Sequence, residues 1–154
     1  MLTPRKKVLQ EIEILPGFQV LDYGCGPGSY TIPAAQRVGD EGKVYALDIH
    51  PLAVNGVAKT AKNKGLNNVE TIQSDCATGL ADTSIDLIFL FDIFHELGRP
   101  EDVLGELHRV LKPRGVLAVN DHHLSEDEIT AGLTGGGLFK LSARGEKTYR
   151  FEKA

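Results

Sequence analysis

Glycines and carboxylates stand at regular places along the chain, each after a short apolar run. The segment Asp22–Gly28 (DYGCGPG) follows the first run, and its glycines allow a tight turn that lets a ligand approach the backbone. Asp48 follows the second run, where a carboxylate can accept hydrogen bonds from both hydroxyls of a ribose. Asp75 follows the third run, where it can accept from an exocyclic amine. Together these residues predict a site for an adenosine-containing ligand.

A second set of polar residues follows the fourth and fifth apolar runs. Asp92 and His95 come after the fourth run, and Asn120–His123 (NDHH) comes after the fifth. Imidazole exchanges protons near neutral pH, so His95 and His122 are the candidate general bases. Because His122 and His123 are adjacent, at most one of them is expected to point into a shared cleft.

Other reactive residue types are interpreted as structural. Cys25 and Cys76 lack a nearby cysteine partner, so they fit neither a disulfide framework nor a zinc pattern, and we expect both to be small buried residues. Asp86 is expected to support the start of the fourth strand. The sequence predicts no metal site.

The apolar runs alternate with amphipathic segments, which indicates parallel strands joined by right-handed helical crossovers. The sheet should therefore carry helices on both faces, and a ligand should bind at the carboxyl ends of the strands. The predicted parallel strands are Phe18–Tyr23, Lys43–Ile49, Val69–Ser74, Ile85–Phe91 and Gly115–Asn120.

Helix boundaries are marked by local signals. An N-terminal helix is predicted over 3–15, a helix opened by Pro51 should end at Gly65, and another opened by Pro100 should stop at Pro113. Ser125 and Glu128 form a capping-box pattern for a short last helix. The segment 138–153 is typical of a terminal antiparallel hairpin.

Composition limits the class of protein. The chain has 154 residues, the size of one domain, and a net charge of −4 from 17 basic and 21 acidic side chains. This negative net charge argues against non-specific electrostatic binding to nucleic acid or to an anionic membrane. The longest apolar run is too short to span a bilayer, and the N-terminus has no signal-peptide h-region, so a cytoplasmic location is expected.

The motifs at the strand ends together resemble those of one known protein family. Val20–Gly28 (VLDYGCGPG) resembles motif I of the class I S-adenosylmethionine-dependent methyltransferases, and Val44–Asp48 (VYALD) resembles their second motif. Ser74–Cys76 is similar to their adenine-contacting strand end, and Ser84–His95 and Leu111–Leu117 are similar to their later motifs. The match covers about residues 18–120, in the style of small quinone-biosynthesis-like enzymes. The family implies a Rossmann-like three-layer sandwich whose seven-stranded, mostly parallel sheet ends in the antiparallel hairpin.

The resemblance also implies roles in holding S-adenosylmethionine, whose product is S-adenosylhomocysteine. Asp48 would bind the ribose, Ile49 would lie against the adenine, and Asp75 with the Cys76 backbone N–H would bond the adenine edge. At the methionine end the implied residues are Gly24, Gly26, Asp22 and Asp92.

The expected reaction is methyl transfer by in-line displacement to a small-molecule acceptor. The segments before the first strand and after the fifth are short, so the cleft is expected to be open or covered by a second subunit, as a homodimer or with a partner chain. Two alternatives stay open: a non-enzymatic S-adenosylmethionine-binding subunit, and a nicotinamide-dependent dehydrogenase. Ser29 stands where the dinucleotide fingerprint has its last glycine, which disfavours the latter.

Overall fold

The computed structural model describes residues 3–154, and within them seven strands form one sheet in the order β3-β2-β1-β4-β5-β7-β6. Their bounds are β1 Gln19–Tyr23, β2 Lys43–Asp48, β3 Val69–Gln73, β4 Ile85–Phe91, β5 Leu111–Asn120, β6 Phe139–Arg144 and β7 Tyr149–Lys153. Strands β1 to β5 pair in parallel, whereas β7 runs antiparallel to both of its neighbours. The predicted Rossmann-like sheet with an antiparallel C-terminal hairpin is confirmed.

Helices cover both faces of this sheet. Successive strand side chains point to opposite faces, so Val20 packs with the buried residues of α1 and α2, and Leu21 packs with those of α4 and α5. No helix within residues 3–154 combines the length and the apolar composition needed to cross a bilayer. The helices are α1 Pro4–Gln10, α2 Thr31–Val38, α3 Pro51–Asn63, α4 Pro100–Val110 and α5 Glu126–Thr134.

Helix ends follow the local signals in three places. Thr3 Oγ1 accepts a hydrogen bond from the Lys6 backbone N–H at the start of α1. Gly65 follows the last turn of α3 with φ of +70°, a conformation that costs glycine little. Ser125 and Glu128 make the reciprocal hydrogen bonds of a capping box at the start of α5.

The N-terminal helix is shorter than the predicted span 3–15, because it ends at Gln10. The next residue, Glu11, binds the C-terminal hairpin through both its carbonyl and its carboxylate. Glu11 keeps right-handed helical backbone angles as the C-cap of α1, and its carbonyl accepts from Arg150 instead of from a further turn of helix. Ile12 is still buried, so the apolar face predicted for this segment continues beyond the end of the helix.

The fifth strand begins earlier than predicted. Helix α4 ends at Val110 rather than at Pro113, and Leu111 is already extended and paired with Ile85 of β4. The register then shifts so that Leu87 pairs with Val116, which leaves Pro113 in a bulge where its missing N–H costs no ladder hydrogen bond.

Candidate active site

A cavity of about 350 Å³ lies at the carboxyl ends of β1, β2 and β3. It is next to the place where the strand order reverses between β1 and β4, the crevice in which open α/β sheets bind ligands. The predicted cofactor residues that line it are Gly24, Asp48, Ile49, Asp75 and Cys76. Residues of the segment 96–103, before and at the start of α4, also line it.

The glycine-rich turn after β1 depends on backbone conformations that favour glycine. Gly24, Gly26 and Gly28 have φ of +81°, +52° and +88°. A Cβ at Gly24 would lie 2.9 Å from Ile93 Cγ1, and one at Gly28 would lie 3.0 Å from Val57 Cγ2, so both positions also need the absence of a side chain. At Gly26 nothing in the described chain lies within 4 Å of such an atom, which leaves this part of the turn open to a ligand.

Asp48, at the end of β2, fastens this turn. Its Oδ2 accepts from the Gly26 backbone N–H at 3.0 Å, and its Oδ1 accepts from the His50 backbone N–H at 2.9 Å. The residue is only 8% exposed. A carboxylate offers about four acceptor sites, so lone pairs remain for further hydroxyl donors.

Asp22 lies beneath the turn, with 2% of its surface exposed. Thr31 Oγ1 donates to Asp22 Oδ2 at 2.7 Å. Burial raises the pKa of this carboxyl to about 6, the Thr31 hydrogen bond opposes the rise, and the nearby charge of Asp48 adds to it. Within residues 3–154 Asp22 has no cationic partner, so its negative charge is uncompensated.

The turn after β3 supplies another part of the wall. Tyr23 donates its hydroxyl hydrogen to the Asp75 carbonyl at 2.9 Å, and the Cys76 N–H donates to Ser74 Oγ at 3.1 Å. That N–H, which the family resemblance assigns to an adenine nitrogen, therefore has an internal partner here. Ile49 is 56% exposed and offers an apolar surface to a flat ring.

The two cysteines differ in burial. Cys25 is buried as predicted, and burial, with the charges of Asp22 and Asp48, raises the pKa of its thiol to about 12. The prediction of a buried Cys76 is wrong, because this side chain lines the cavity and is only partly covered. Its thiol pKa is also raised, chiefly by the burial that remains. Raised pKa values keep both sulfurs protonated, which agrees with a non-nucleophilic role.

Asp92, directly after β4, has a left-handed backbone conformation with φ of +53°, which is uncommon outside glycine. Its carboxylate accepts from the His122 backbone N–H at 2.7 Å and contacts His122 Nδ1 at 2.8 Å. The two side chains are 44% and 75% exposed. They form an open acid–imidazole pair across the ends of β4 and β5.

A second acid–imidazole pair lies beside it and is less exposed. His95 Nδ1 lies 2.9 Å from Asp121 Oδ2, and the side chains are 20% and 0% exposed. Burial opposes ionisation of Asp121, but hydrogen bonds from the His95 ring and from backbone N–H groups outweigh it and lower the pKa of this carboxyl. The His123 ring lies 4.0 Å from the His95 ring, between centroids.

Comparison with known proteins identifies the family. A profile described as a methyltransferase domain matches residues 14–144. The chain is 34% identical over 113 residues to a demethylmenaquinone methyltransferase of Geobacillus stearothermophilus, a match covering 73% of this chain and 48% of that protein. It is 37% identical over 117 residues to an aklanonic acid methyltransferase of Streptomyces sp. (strain C5), covering 70% of this chain and 53% of the relative. The chain belongs to the methyltransferase family.

A solved structure shares this fold closely. The S-adenosylmethionine-dependent methyltransferase from Aquifex aeolicus superposes with a TM-score of 0.85 at 32% identity, covering 97% of this chain and 88% of that one. These relatives support a class I, quinone-biosynthesis-like methyltransferase domain with S-adenosylmethionine as its cofactor, and they do not favour the dehydrogenase alternative. The chain spans about half the length of the curated relatives it matches.

The structure of this methyltransferase domain groups the predicted residues in two places. Five line the cavity, with Asp22 and Gly26 in the strand and turn that border it, whereas Asp92, His95 and His122 lie at the ends of β4 and β5. Sequence reasoning missed Tyr23 and His50 as lining residues and gave Asp121 no role. The position of Asp121 directly after a strand was the available signal, but its pairing with His95 depends on the register of two strands.

Proposed function

We propose that this domain binds S-adenosylmethionine in the cavity and transfers its methyl group to a small-molecule acceptor at the ends of β4 and β5. The observation that carries the proposal is the bond between the glycine-rich turn and Asp48. This bond holds the uncrowded turn at Gly26 against Asp48, whose remaining lone pairs can accept from ribose hydroxyls. Exposed Ile49 is next to Asp48 in the chain and lines the same cavity.

The residues present fit the cofactor in charge as well as in shape. Asp22 is a buried carboxylate without a cationic partner in the described chain, and an ammonium or sulfonium group nearby would stabilise its ionised form. The cavity volume of about 350 Å³ lies in the range of ligand pockets. A neutral or anionic ligand would leave the Asp22 charge uncompensated.

The proposed roles in cofactor binding begin with residues that line the cavity. Asp48 accepts from the ribose hydroxyls, Ile49 covers one face of the adenine, and Asp75 accepts from its amino group. The Cys76 N–H serves the adenine only if it exchanges its Ser74 partner for a ring nitrogen. At the methionine end the residues are Gly24, Gly26, Asp22 and Asp92.

When bound, S-adenosylmethionine supplies a methyl group on a positively charged sulfur whose departure as a thioether needs no assistance. The chain's own residues therefore have to align an acceptor in line with that methyl group and exclude competing water. His95 and His122 are the groups available to accept a proton from the acceptor.

The acceptor side is open in this chain. His122 and Asp92 are substantially exposed, which supports a second subunit or partner chain that covers the acceptor during turnover. The curated relatives are named for demethylmenaquinone and aklanonic acid, which supports an organic small molecule as acceptor rather than nucleic acid. We place the reaction in the cytoplasm.

A panel of phenols, hydroquinones, enols, amines and thiols, monitored by release of S-adenosylhomocysteine, tests the proposal. We expect turnover with at least one class, and the same activity should be strongly reduced in Asp48→Ala at subsaturating cofactor. Tight binding of S-adenosylhomocysteine with no methylation of any acceptor would instead support the non-enzymatic binding subunit.

A further inference from the structure

The Asp121 carboxylate is held by hydrogen-bond donors from both sides. Oδ2 accepts from the His95 backbone N–H at 3.0 Å and faces His95 Nδ1 at 2.9 Å. Oδ1 accepts from the His123 backbone N–H at 2.9 Å. With its side chain fully covered, Asp121 has one orientation available, and it fixes the His95 ring with it.

This contact decides which ring nitrogen carries the proton. A carboxylate only accepts, so Nδ1 of neutral His95 must be the N–H donor, and Nε2 carries the lone pair. Nε2 makes no hydrogen bond within residues 3–154, and its nearest carboxylate oxygen is Glu96 Oε1 at 3.5 Å. Glu96 lines the cavity and His95 does not, so Nε2 faces a residue of the cavity wall rather than the cavity itself.

We propose that Asp121 is a positioning residue that holds His95 with Nε2 as the proton acceptor, and that the methyl acceptor is therefore a neutral molecule with an acidic hydroxyl, a phenol or an enol. This inference rests on the proposed methyl transfer. Nε2 takes the hydroxyl proton, and the oxygen forms a bond to the methyl carbon as the carbon–sulfur bond breaks. The bond electrons go to sulfur, giving a neutral thioether, and the imidazolium then loses its proton to water.

Other classes of methyl acceptor have less need of His95 Nε2 as a proton acceptor. A neutral amine attacks with its own lone pair and loses its proton afterwards, and a carboxylic acid is already ionised at neutral pH. The carboxylates of Asp92, Glu96 and Asp121 surround the two imidazoles, and their negative charge would repel an anionic acceptor. The same charges stabilise the imidazolium that forms when a hydroxyl is deprotonated.

The tautomer can be measured without any acceptor. In the ¹⁵N-histidine-labelled protein at pH 8, long-range ¹H–¹⁵N correlation should show His95 protonated at Nδ1 and bare at Nε2, and S-adenosylhomocysteine should bind. In Asp121→Asn the ring should lose this preference, whereas Asp127→Asn, on the exposed start of α5, should leave it unchanged. A proton on Nε2 in the wild-type protein would overturn the proposal whether or not Asp121→Asn folds.

Once an acceptor is known, a double-mutant cycle separates positioning from general structural support. His95→Ala should lower kcat by about 10²- to 10³-fold with KM for the cofactor changed less than about threefold. Asp121→Asn should lower kcat in the same range, and the double variant should be within about threefold of His95→Ala. His108→Ala, in the last turn of α4, is the control and should leave kcat unchanged. Additive losses, or turnover only with an amine and independent of His95, would overturn the proposal.

Failure of this proposal and of the proposed function are distinguishable. If the wild-type chain binds no S-adenosylhomocysteine, the methyltransferase function fails whatever the tautomer. If it binds S-adenosylhomocysteine and methylates a phenol or an enol while Asp121→Asn keeps full kcat, only the role of Asp121 fails.

Discussion

At the scale of single residues, the proposed role of Asp22 predicts that cofactor binding depends on pH. Its pKa of about 6 in the free protein lies above the usual value because burial disfavours the ionised form. An ammonium group bound beside Asp22 would favour the ionised form and lower the pKa, so binding would release the proton that Asp22 carries at low pH. Affinity for S-adenosylhomocysteine should therefore fall by on the order of tenfold as pH decreases from 7.5 to 5.

Calorimetric titration at the two pH values checks this coupling. Asp22→Asn should bind more weakly at pH 7.5 and should show little change at pH 5, because the amide cannot titrate and still accepts from Thr31. Asp40→Asn, an exposed carboxylate between α2 and β2, is the matched control. A pH dependence that persists unchanged in Asp22→Asn would show that another group is responsible.

The sequence predicts which residues line the cavity better than it predicts the hydrogen bonds that they make. Asp48, Ile49 and Asp75 reach one cavity because each lies at the carboxyl end of a parallel strand or within two residues of it, which strand prediction alone can place. The bond from the Cys76 N–H to Ser74 and the pairing of Asp121 with His95 depend on side-chain rotamers and on strand register. The first is a local serine turn that the Ser74 rotamer decides, whereas no local sequence pattern encodes the second.

At the scale of elements, Glu106 ties α4 to the connection between β3 and β4. Its carboxylate accepts from the Thr78 N–H and hydroxyl at 2.8 and 2.7 Å and from Arg109 Nε at 2.8 Å. The Arg109 hydrogen bond, the largest influence, and then those from Thr78 lower the pKa of Glu106 to about 2, against the effect of burial. This connection carries Asp75 and Cys76 into the cavity wall.

The lowered pKa has a defined consequence for stability. The folded state favours ionised Glu106, so the stabilisation is complete above about pH 4.5 and is lost as pH falls towards 2. Glu106→Gln should lower the free energy of unfolding by about 1–3 kcal/mol at pH 7 and flatten the pH dependence of urea unfolding in that window. Glu101→Gln, exposed in the first turn of α4, should change stability by less than about 0.5 kcal/mol. Equal pH profiles for wild type and Glu106→Gln would refute this account.

Element boundaries show where local signals stop being sufficient. The capping box of α5 and the glycine after α3 act within a few residues, and the structure follows them. The predicted end of α1 and start of β5 are wrong because the Glu11 carbonyl accepts from Arg150, far along the chain, and because Leu111 pairs with Ile85 of β4. Tertiary contacts override propensity at both sites.

At the scale of the whole molecule, Glu11 joins the N-terminal segment to the C-terminal hairpin. Its carboxylate accepts from the backbone N–H groups of Lys147 and Thr148 and from the Thr148 hydroxyl, at 2.8 to 3.0 Å. Arg150 also donates to the Glu11 carbonyl. This contact anchors β7, which lies between β5 and β6 in the sheet.

Removal of this carboxylate should leave buried donors without partners. Glu11→Ala should lower the free energy of unfolding in urea by about 2–4 kcal/mol, whereas exposed Glu13→Ala should be nearly neutral. The hairpin forms the edge of the sheet opposite to β3. Affinity of the folded variant for S-adenosylhomocysteine should therefore stay within about threefold of the wild-type value. A stability equal to wild type would mean that the hairpin is held by its strand pairing alone.

Calorimetric titration of the wild-type chain with S-adenosylhomocysteine, with NAD and then with the Asp48 variants tests the central claim most directly. We expect S-adenosylhomocysteine to bind well and NAD weakly. Asp48→Ala should lose about 1.5–3 kcal/mol, on the order of 10- to 150-fold in affinity, because two charge-assisted hydrogen bonds to the ribose are removed and water replaces part of them. Asp48→Asn should lose less, since its amide keeps one acceptor. Tight binding of NAD without a response to S-adenosylhomocysteine, or equal affinities for wild type and Asp48→Ala, would contradict the account.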